Sequence, residues 1–351
     1  MIITPGPVEV PETIRRAEAK PMIHHRTEEY HALHKKVVDR MNKLVNAKET
    51  YIIPSSGTGG IEACFSSMLK ENDRVLIGAN GKFGERMGDI AKLYCKNIRV
   101  YNVDWCKGIN LERIKPLIDS YKPTVLGIVY NETSTALANP IEEICKYAHK
   151  KKILTIVDGI SAVGGFPINM KRMGVDALIT GSQKCLGLPT GISLVSVREG
   201  AIKRIDSVKA KSYYFNLRAY RKSAKKNETP WSSPVSLVQA LEKSLRNLWK
   251  TDPNKKMKKK KELASYTRKK LSEMGFKLMH EKGFESASTV GFYVENAGEV
   301  KKKLASDYGL IVAGGQGELK GKVLRIGIMG RVNKKVINQF IAALCKISGK
   351  G

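Results

Sequence analysis

Short apolar runs alternating with amphipathic stretches constrain this chain more than any other feature. Between about residues 33 and 205 the runs are Tyr51-Ile52-Ile53, Arg74-Val75-Leu76-Ile77, Ile98-Arg99-Val100-Tyr101 and Val125-Leu126-Gly127-Ile128-Val129. They continue with Ile153-Leu154-Thr155-Ile156-Val157, Ala177-Leu178-Ile179 and Ile192-Ser193-Leu194-Val195-Ser196-Val197. Each is short and rich in β-branched residues, which is the pattern of a strand. The stretches between them, such as residues 140–150, carry helical spacing. The alternation predicts an α/β fold with a mainly parallel sheet between helices. A ligand of such a sheet sits beyond the carboxyl ends of the strands. Ser56, Thr133, Asp158 and Lys184 all fall just past strand ends.

Beyond Pro234 the pattern changes. A long helix is expected over 235–250, then a helix led by the lysine run at 255–261, strands near 289–294 and 323–328, and a last helix over 333–345. This reads as a smaller C-terminal α+β domain. The expected division is an N-terminal arm at 1–20, a large domain at 21–234 and a small domain at 235–351. A chain of 351 residues is long enough for two cores.

Several function classes are disfavoured. No apolar run approaches the roughly 18 residues that would span a membrane. The start, Met1-Ile2-Ile3-Thr4-Pro5-Gly6-Pro7, lacks the regions of a signal peptide. Cys64, Cys95, Cys106, Cys145, Cys185 and Cys345 are scattered without a C-x-x-C pair, so neither a metal site nor a disulfide framework is expected, and a cytoplasmic location fits. A net charge of +29 raises nucleic-acid binding as one reading. The lysines are spread along the whole chain, however, which reads as solvated surface, and the positive field also suits an anionic cofactor and acidic substrates.

The chemistry-bearing residues come in a definite order. Ser55-Ser56-Gly57-Thr58-Gly59-Gly60 follows a strand and opens a helix. Small residues there let a phosphate approach free N–H groups at a helix N-terminus. Neither the Walker A nor the G-x-G-x-x-G pattern is present. Phe83, within Asn80-Gly81-Lys82-Phe83-Gly84-Glu85-Arg86, can stack on a flat ring. Thr133, within Asn131-Glu132-Thr133-Ser134-Thr135, can offer a hydroxyl to a phenolic oxygen. Asp158 ends a buried strand, where a carboxylate is costly unless paired. A protonated pyridine nitrogen would be such a partner, and a helix cap is the alternative. Lys184 ends Ile179-Thr180-Gly181-Ser182-Gln183-Lys184. A strand ending in a carboxylate, then one ending in Gly-Ser-Gln-Lys, can bind pyridoxal phosphate, with the lysine condensing with its aldehyde.

Anion cradle, aromatic, hydroxyl, acid and lysine in that order resemble the fold-type-I pyridoxal-phosphate enzymes. Within them the chain is similar to the class V aminotransferases, in the alanine–glyoxylate / serine–pyruvate branch and near archaeal aspartate aminotransferases. The resemblance is carried by Pro5-Gly6-Pro7, His25-Arg26-Thr27, Ser56-Gly57-Thr58, Asn131-Glu132-Thr133-Ser134-Thr135, Gly181-Ser182-Gln183-Lys184 and Gly321-Lys322-Val323-Leu324-Arg325-Ile326-Gly327. It implies that Lys184 is the catalytic amine and that Asp158 pairs with the ring nitrogen. Ile160 and Phe83 would cover the two ring faces, and Thr133 would contact the ring oxygen. Ser56, Gly57, Thr58 and Gln183 would hold the phosphate, with Thr229 and Ser232 reaching it from a neighbouring subunit of a homodimer. Arg325 would bind the substrate carboxylate, for which a guanidinium fork is suited. His24, His25 and Arg26 could face a substrate side chain or an interface.

The expected activity is a ping-pong transfer of an amino group from alanine or serine to glyoxylate or pyruvate. Aspartate with 2-oxoglutarate is the nearest alternative. A cysteine desulfurase shares the implied fold, but Gln183 stands where those enzymes have His, and Cys185 directly follows the lysine. A basic nucleic-acid-binding protein is the reading from another class; it leaves the ordered constellation to chance.

Overall fold

Every apolar run of the first 200 residues forms a strand in the computed structural model, which describes residues 1–349. The strands are β1 (Glu49–Ser55), β2 (Val75–Ala79), β3 (Ile98–Asn102), β4 (Val125–Val129), the short β5 (Asn131–Glu132) and β6 (Leu137–Ala138), β7 (Leu154–Asp158), β8 (Ala177–Gly181) and β9 (Gly191–Val197). A second group comprises β10 (Thr289–Tyr293), β11 (Ala313–Gly314) and β12 (Val323–Gly327). The main sheet has seven strands in the order β1-β9-β8-β7-β4-β2-β3. From β8 to β3 all neighbours are parallel. β9 runs antiparallel to both β8 and β1. The sheet is thus mainly parallel, with a reversed strand near one edge. Pro54 sits in the edge strand β1, where a missing N–H is tolerated.

Helices cover both faces because successive strand residues face opposite ways. Leu76, Leu178 and Leu194 join one apolar core, whereas Ile77, Ile179 and Val195 join the other. Each such side chain, fully buried, contributes about 1.5–3 kcal/mol relative to exposure. The helix Gly57–Met68 packs on β8 and β9, and small residues allow that approach. A Cβ on Gly60 would come within 2.8 Å of Ile179 Cγ2.

A third core lies around the three-stranded sheet β10-β12-β11. Ile3, from the chain's start, is buried in it. The helix Val235–Leu248 instead packs Val238, Leu241 and Leu245 into the first core, against the helices Glu12–Glu18 and Glu28–Val45. We therefore propose that the smaller unit begins near Pro253, not Val235, and takes the first few residues with it.

The lysine run lies in the helix Pro253–Glu273, capped by Asp252, whose side chain accepts from Asn254 N–H, and started by Pro253. Met257, Ala264, Thr267 and Leu271 are its buried side. Lys255, Lys258, Lys259 and Lys261 are exposed, so most of the run is solvated, whereas Lys260 turns inward and donates to Gly330 O at 3.3 Å and Val332 O at 2.6 Å. Among the described residues no helix is long and apolar enough to cross a membrane. No group of His, Cys, Asp or Glu among them could hold a metal ion.

Candidate active site

The carboxyl ends of β1, β4, β7 and β8 meet at one cleft, and its lining includes Gly57, Thr58, Phe83, Thr133, Asp158, Ile160, Gln183 and Lys184. These eight were all expected from sequence to share a site. Gly57 and Thr58 open the helix Gly57–Met68, where the first amides have no intrahelical acceptor. Ser56 is the N-cap, but its side chain makes no capping bond, which leaves those amides to the cleft. Ile160 lies against Gly57 so closely that a Cβ there would stand 2.6 Å from Ile160 Cγ1.

Phe83 also lines the cleft, at the start of the helix Lys82–Lys92. That helix has no side-chain N-cap of its own. Glu132 takes the role from outside: its carboxylate accepts from Phe83 N–H at 3.0 Å and Gly84 N–H at 3.1 Å. It also accepts from Ser134 N–H at 3.0 Å and the Ser134 hydroxyl at 2.5 Å. Glu132 is fully buried, and burial raises its pKa against the pull of these bonds.

Asp158 ends β7, and its Oδ1 accepts from Ile160 N–H at 2.9 Å. Burial pushes its carboxyl up to about 7; Glu132 acts in the same direction, while the Ile160 bond, Lys184 and Arg86 oppose it. Lys184 Nζ donates to the Pro5 carbonyl at 2.7 Å and stands 5.7 Å from the Phe83 ring centroid. Burial lowers its pKa to about 8, and Asp158 resists that shift. The cleft therefore holds an amine and a carboxyl that both change charge near neutrality.

Gln183 lines the cleft with a buried Oε1 that has no hydrogen-bond partner. Its main-chain oxygen accepts from Val8 N–H at 3.1 Å. The N-terminal arm thus runs from the small sheet, where Gly327 N–H donates to Ile3 O at 2.8 Å, to the lysine segment.

Arg325 is buried beside the cleft but not among its lining residues. Its Nη1 donates to Thr133 O at 2.6 Å, and Nε and Nη2 donate to Gly314 O at 2.9 and 2.6 Å. Burial lowers its pKa to about 10, opposed by Glu132. Thr229 and Ser232 are not brought to this cleft. Thr229 is buried, its hydroxyl donating to Trp231 O at 2.6 Å, whereas Ser232 is exposed. Arg26 holds their loop: it pairs with Glu228 and donates to Thr229 O at 3.1 Å. His31 adds a 2.9 Å bond to Glu228. The His24 and His25 rings lie with centroids 4.7 Å apart, tilted by 36°.

Sequence reasoning passed over several contributors. Gly6 and Pro7 line the cleft from the arm, and nothing local links residue 6 to residue 184. Glu132 stood inside a quoted polar cluster, but only its full burial reveals an internal cap. Arg86 stood inside the Phe83 segment and also lines the cleft. Its spacing of three from Phe83 was the available signal, since such residues share a helix face.

Comparison with known proteins agrees with this geometry. The sequence profile of the family Aminotransferase class-V matches residues 12–332. An uncharacterized aminotransferase of Methanocaldococcus jannaschii is 33% identical over 351 residues, covering 98% of this chain and 91% of that protein. The L-aspartate–glyoxylate aminotransferase of Paracoccus denitrificans is 27% identical, covering 97% and 89%. The crystal structure of the alanine–glyoxylate aminotransferase of Nostoc sp. superposes with a TM-score of 0.94 at 26% identity, covering 99% of this chain and 94% of that one. The chain belongs to the class V aminotransferases, a pyridoxal-phosphate-dependent family of enzymes.

Proposed function

We propose that this cleft binds pyridoxal phosphate and moves an amino group from a small amino acid, alanine or serine, to glyoxylate or pyruvate. One observation carries the proposal: a buried amine of lowered pKa and a buried carboxyl of raised pKa share a cleft with uncapped helix amides. The residues fit the group. The amides of Gly57 and Thr58 suit a phosphate, with Ser56 at the cap, and Gln183 can offer its side-chain N–H groups. Asp158 has one hydrogen bond and lacks a cation, which a ring nitrogen would supply. Ile160 and Phe83 form two apolar walls, and Thr133 offers a hydroxyl.

When bound, pyridoxal phosphate supplies an aldehyde that condenses with amino groups and a ring that accepts an electron pair. Lys184 supplies the base. A pKa near 8 leaves about a tenth of the amine neutral at pH 7 and about half at pH 8, far more than for an ordinary lysine, so Nζ can take a proton from the substrate Cα and return it elsewhere. Asp158 keeps the ring nitrogen protonated by lowering the energy of the cation beside it. Arg325 orients the substrate carboxylate, turning part of its guanidinium from the carbonyls of Gly314 and Thr133. The walls exclude water, which strengthens every charge interaction within.

In the proposed homodimer Thr229 and Ser232 serve the partner's phosphate, in keeping with their position away from their own cleft. Aspartate as donor, with 2-oxoglutarate as acceptor, is the second reading; the Paracoccus relative named for aspartate and glyoxylate supports the donor. A desulfurase is disfavoured by Cys185, whose thiol is buried, donates to Ser161 O at 3.3 Å and is pushed up to about 11 by burial. The scattered free cysteines suit the cytoplasm. The test begins with pyridoxal phosphate and the purified chain. A visible absorption band, with borohydride fixing label on the Lys184 peptide, is expected, and Lys184→Ala should abolish both. A panel of donors against glyoxylate, pyruvate and 2-oxoglutarate then ranks substrates. A colourless, unlabelled protein sinks the proposal.

A further inference from the structure

Arg86 is a charged group of the cleft without a hydrogen-bond or ion-pair partner among the described residues. The others are engaged. Lys184 donates to Pro5 O, Arg325 to Gly314 O and Thr133 O, and Asp158 accepts from Ile160 N–H. The acids nearest Arg86 on its own helix are taken as well. Glu85 pairs with Lys82 at 3.1 Å and accepts from Trp105 Nε1 at 3.0 Å. Asp89 pairs with Lys92 at 3.0 Å. Arg86 lies with its Cζ 5.1 Å from the Phe83 ring centroid, which holds the guanidinium by a cation–π contact but uses none of its N–H donors.

A half-buried fork of five donors facing a ligand cleft calls for an anionic oxygen. We propose that Arg86 binds the phenolate oxygen of the cofactor ring, at the edge between Asp158 and Thr133. This rests on the proposed use of pyridoxal phosphate. Among the cofactor's own polar groups the phosphate has the helix amides and the ring nitrogen has Asp158, so the phenolate is the one left without a charged partner. The influence of Arg86 on Asp158, whose ionised form it favours, supports its place at that end of the cleft. Arg86 then has two effects. It would hold the ring oxygen anionic, and it would fix the ring by a directional hydrogen bond that the apolar Phe83 and Ile160 cannot provide.

The test uses the full chain freed of cofactor, with affinity read by quenching of tryptophan fluorescence. Two ligands are compared, pyridoxal 5′-phosphate and its 3-deoxy analogue, which lacks the ring oxygen. Arg86→Met keeps the apolar stem over Phe83 and removes the donors. It should bind pyridoxal phosphate about tenfold more weakly than the parent, the loss of one charge-assisted hydrogen bond, and the 3-deoxy analogue within about twofold of the parent. Arg86→Lys should recover part of the loss, since it keeps charge without the fork. An equal loss for both ligands, or no loss for either, overturns the assignment. A parent that binds neither ligand overturns the cofactor proposal itself, whereas a binding parent and an unimpaired Arg86→Met overturn only the role of Arg86.

Discussion

Asp158→Asn should make the cofactor-free protein more stable at alkaline pH. The Asp158 carboxyl is moved from an ordinary 3.8 up to about 7, chiefly by burial. The folded state therefore binds this proton more tightly than the unfolded chain. The stabilisation is fully present below 3.8 and is lost as pH rises through about 7. At 1.36 kcal/mol per pH unit, the cost of ionising the buried acid is about 2 kcal/mol at pH 5.5 and about 4 kcal/mol at pH 8. Asparagine keeps the oxygen that accepts from Ile160 N–H and carries no charge. The parent-minus-variant difference in urea unfolding free energy should thus shift by about 2 kcal/mol between pH 5.5 and 8, in favour of the variant. Other groups cancel in that difference, except Glu132 and Lys184, whose charges act on Asp158, so the shift belongs to the cluster. Saturating pyridoxal phosphate should flatten the parent's slope, because a ring cation then compensates the carboxylate. Parent and variant curves that run parallel across this range would refute the reasoning.

Glu132→Ala strips the acceptor from three main-chain amides and a hydroxyl, and should cost about 3–5 kcal/mol in urea unfolding, since each buried donor left unpaired costs about 1–3 kcal/mol. A loss under about 1 kcal/mol would show that the Phe83 helix start holds itself. Gly60→Ala should cost about 1–3 kcal/mol, because its Cβ would press on Ile179 and Ser193, and a parent-like melting temperature would contradict that packing. In cofactor-free protein, Lys184 should reach half-maximal reductive methylation near pH 8, well below exposed lysines, as its lowered pKa requires; peptide mapping across pH 6–11 would expose an ordinary profile if the amine were solvated.

Much of this site was legible in the chain because strand ends are legible. A parallel sheet places every βα turn on one side, so Thr58, Thr133, Asp158 and Lys184, far apart in sequence, had to converge. Strand direction was less legible. The apolar run of β9 looks like that of β8, yet the two pair antiparallel, since a doubly buried strand carries no mark of its sense. Contacts made by main-chain atoms were not legible at all. The Pro5 carbonyl that accepts from Lys184 and the Gly314 carbonyl that accepts from Arg325 depend on the path of the chain and not on side-chain identity. Arg86 on an amphipathic helix looked like any surface arginine until its neighbours proved to be paired elsewhere.

The large positive charge and the chemistry of the cleft are separate matters. Lys255, Lys258, Lys259 and Lys261 are exposed on one helix, where charges act through water and are screened within about 8 Å at physiological salt. Lys184 and Arg325 are buried, and their charges are felt by Asp158 and Glu132 through the protein interior. Burial pushes each of the four toward its neutral form, and attraction between opposite signs resists that in Lys184 and Arg325. Neutralising one of them must therefore move the titration of the rest, and a surface lysine removed in its place should leave that titration where it was. A net charge of +29 can concentrate anionic substrates near the protein, but in the proposed site selection among them would rest on the few buried cations that water does not screen.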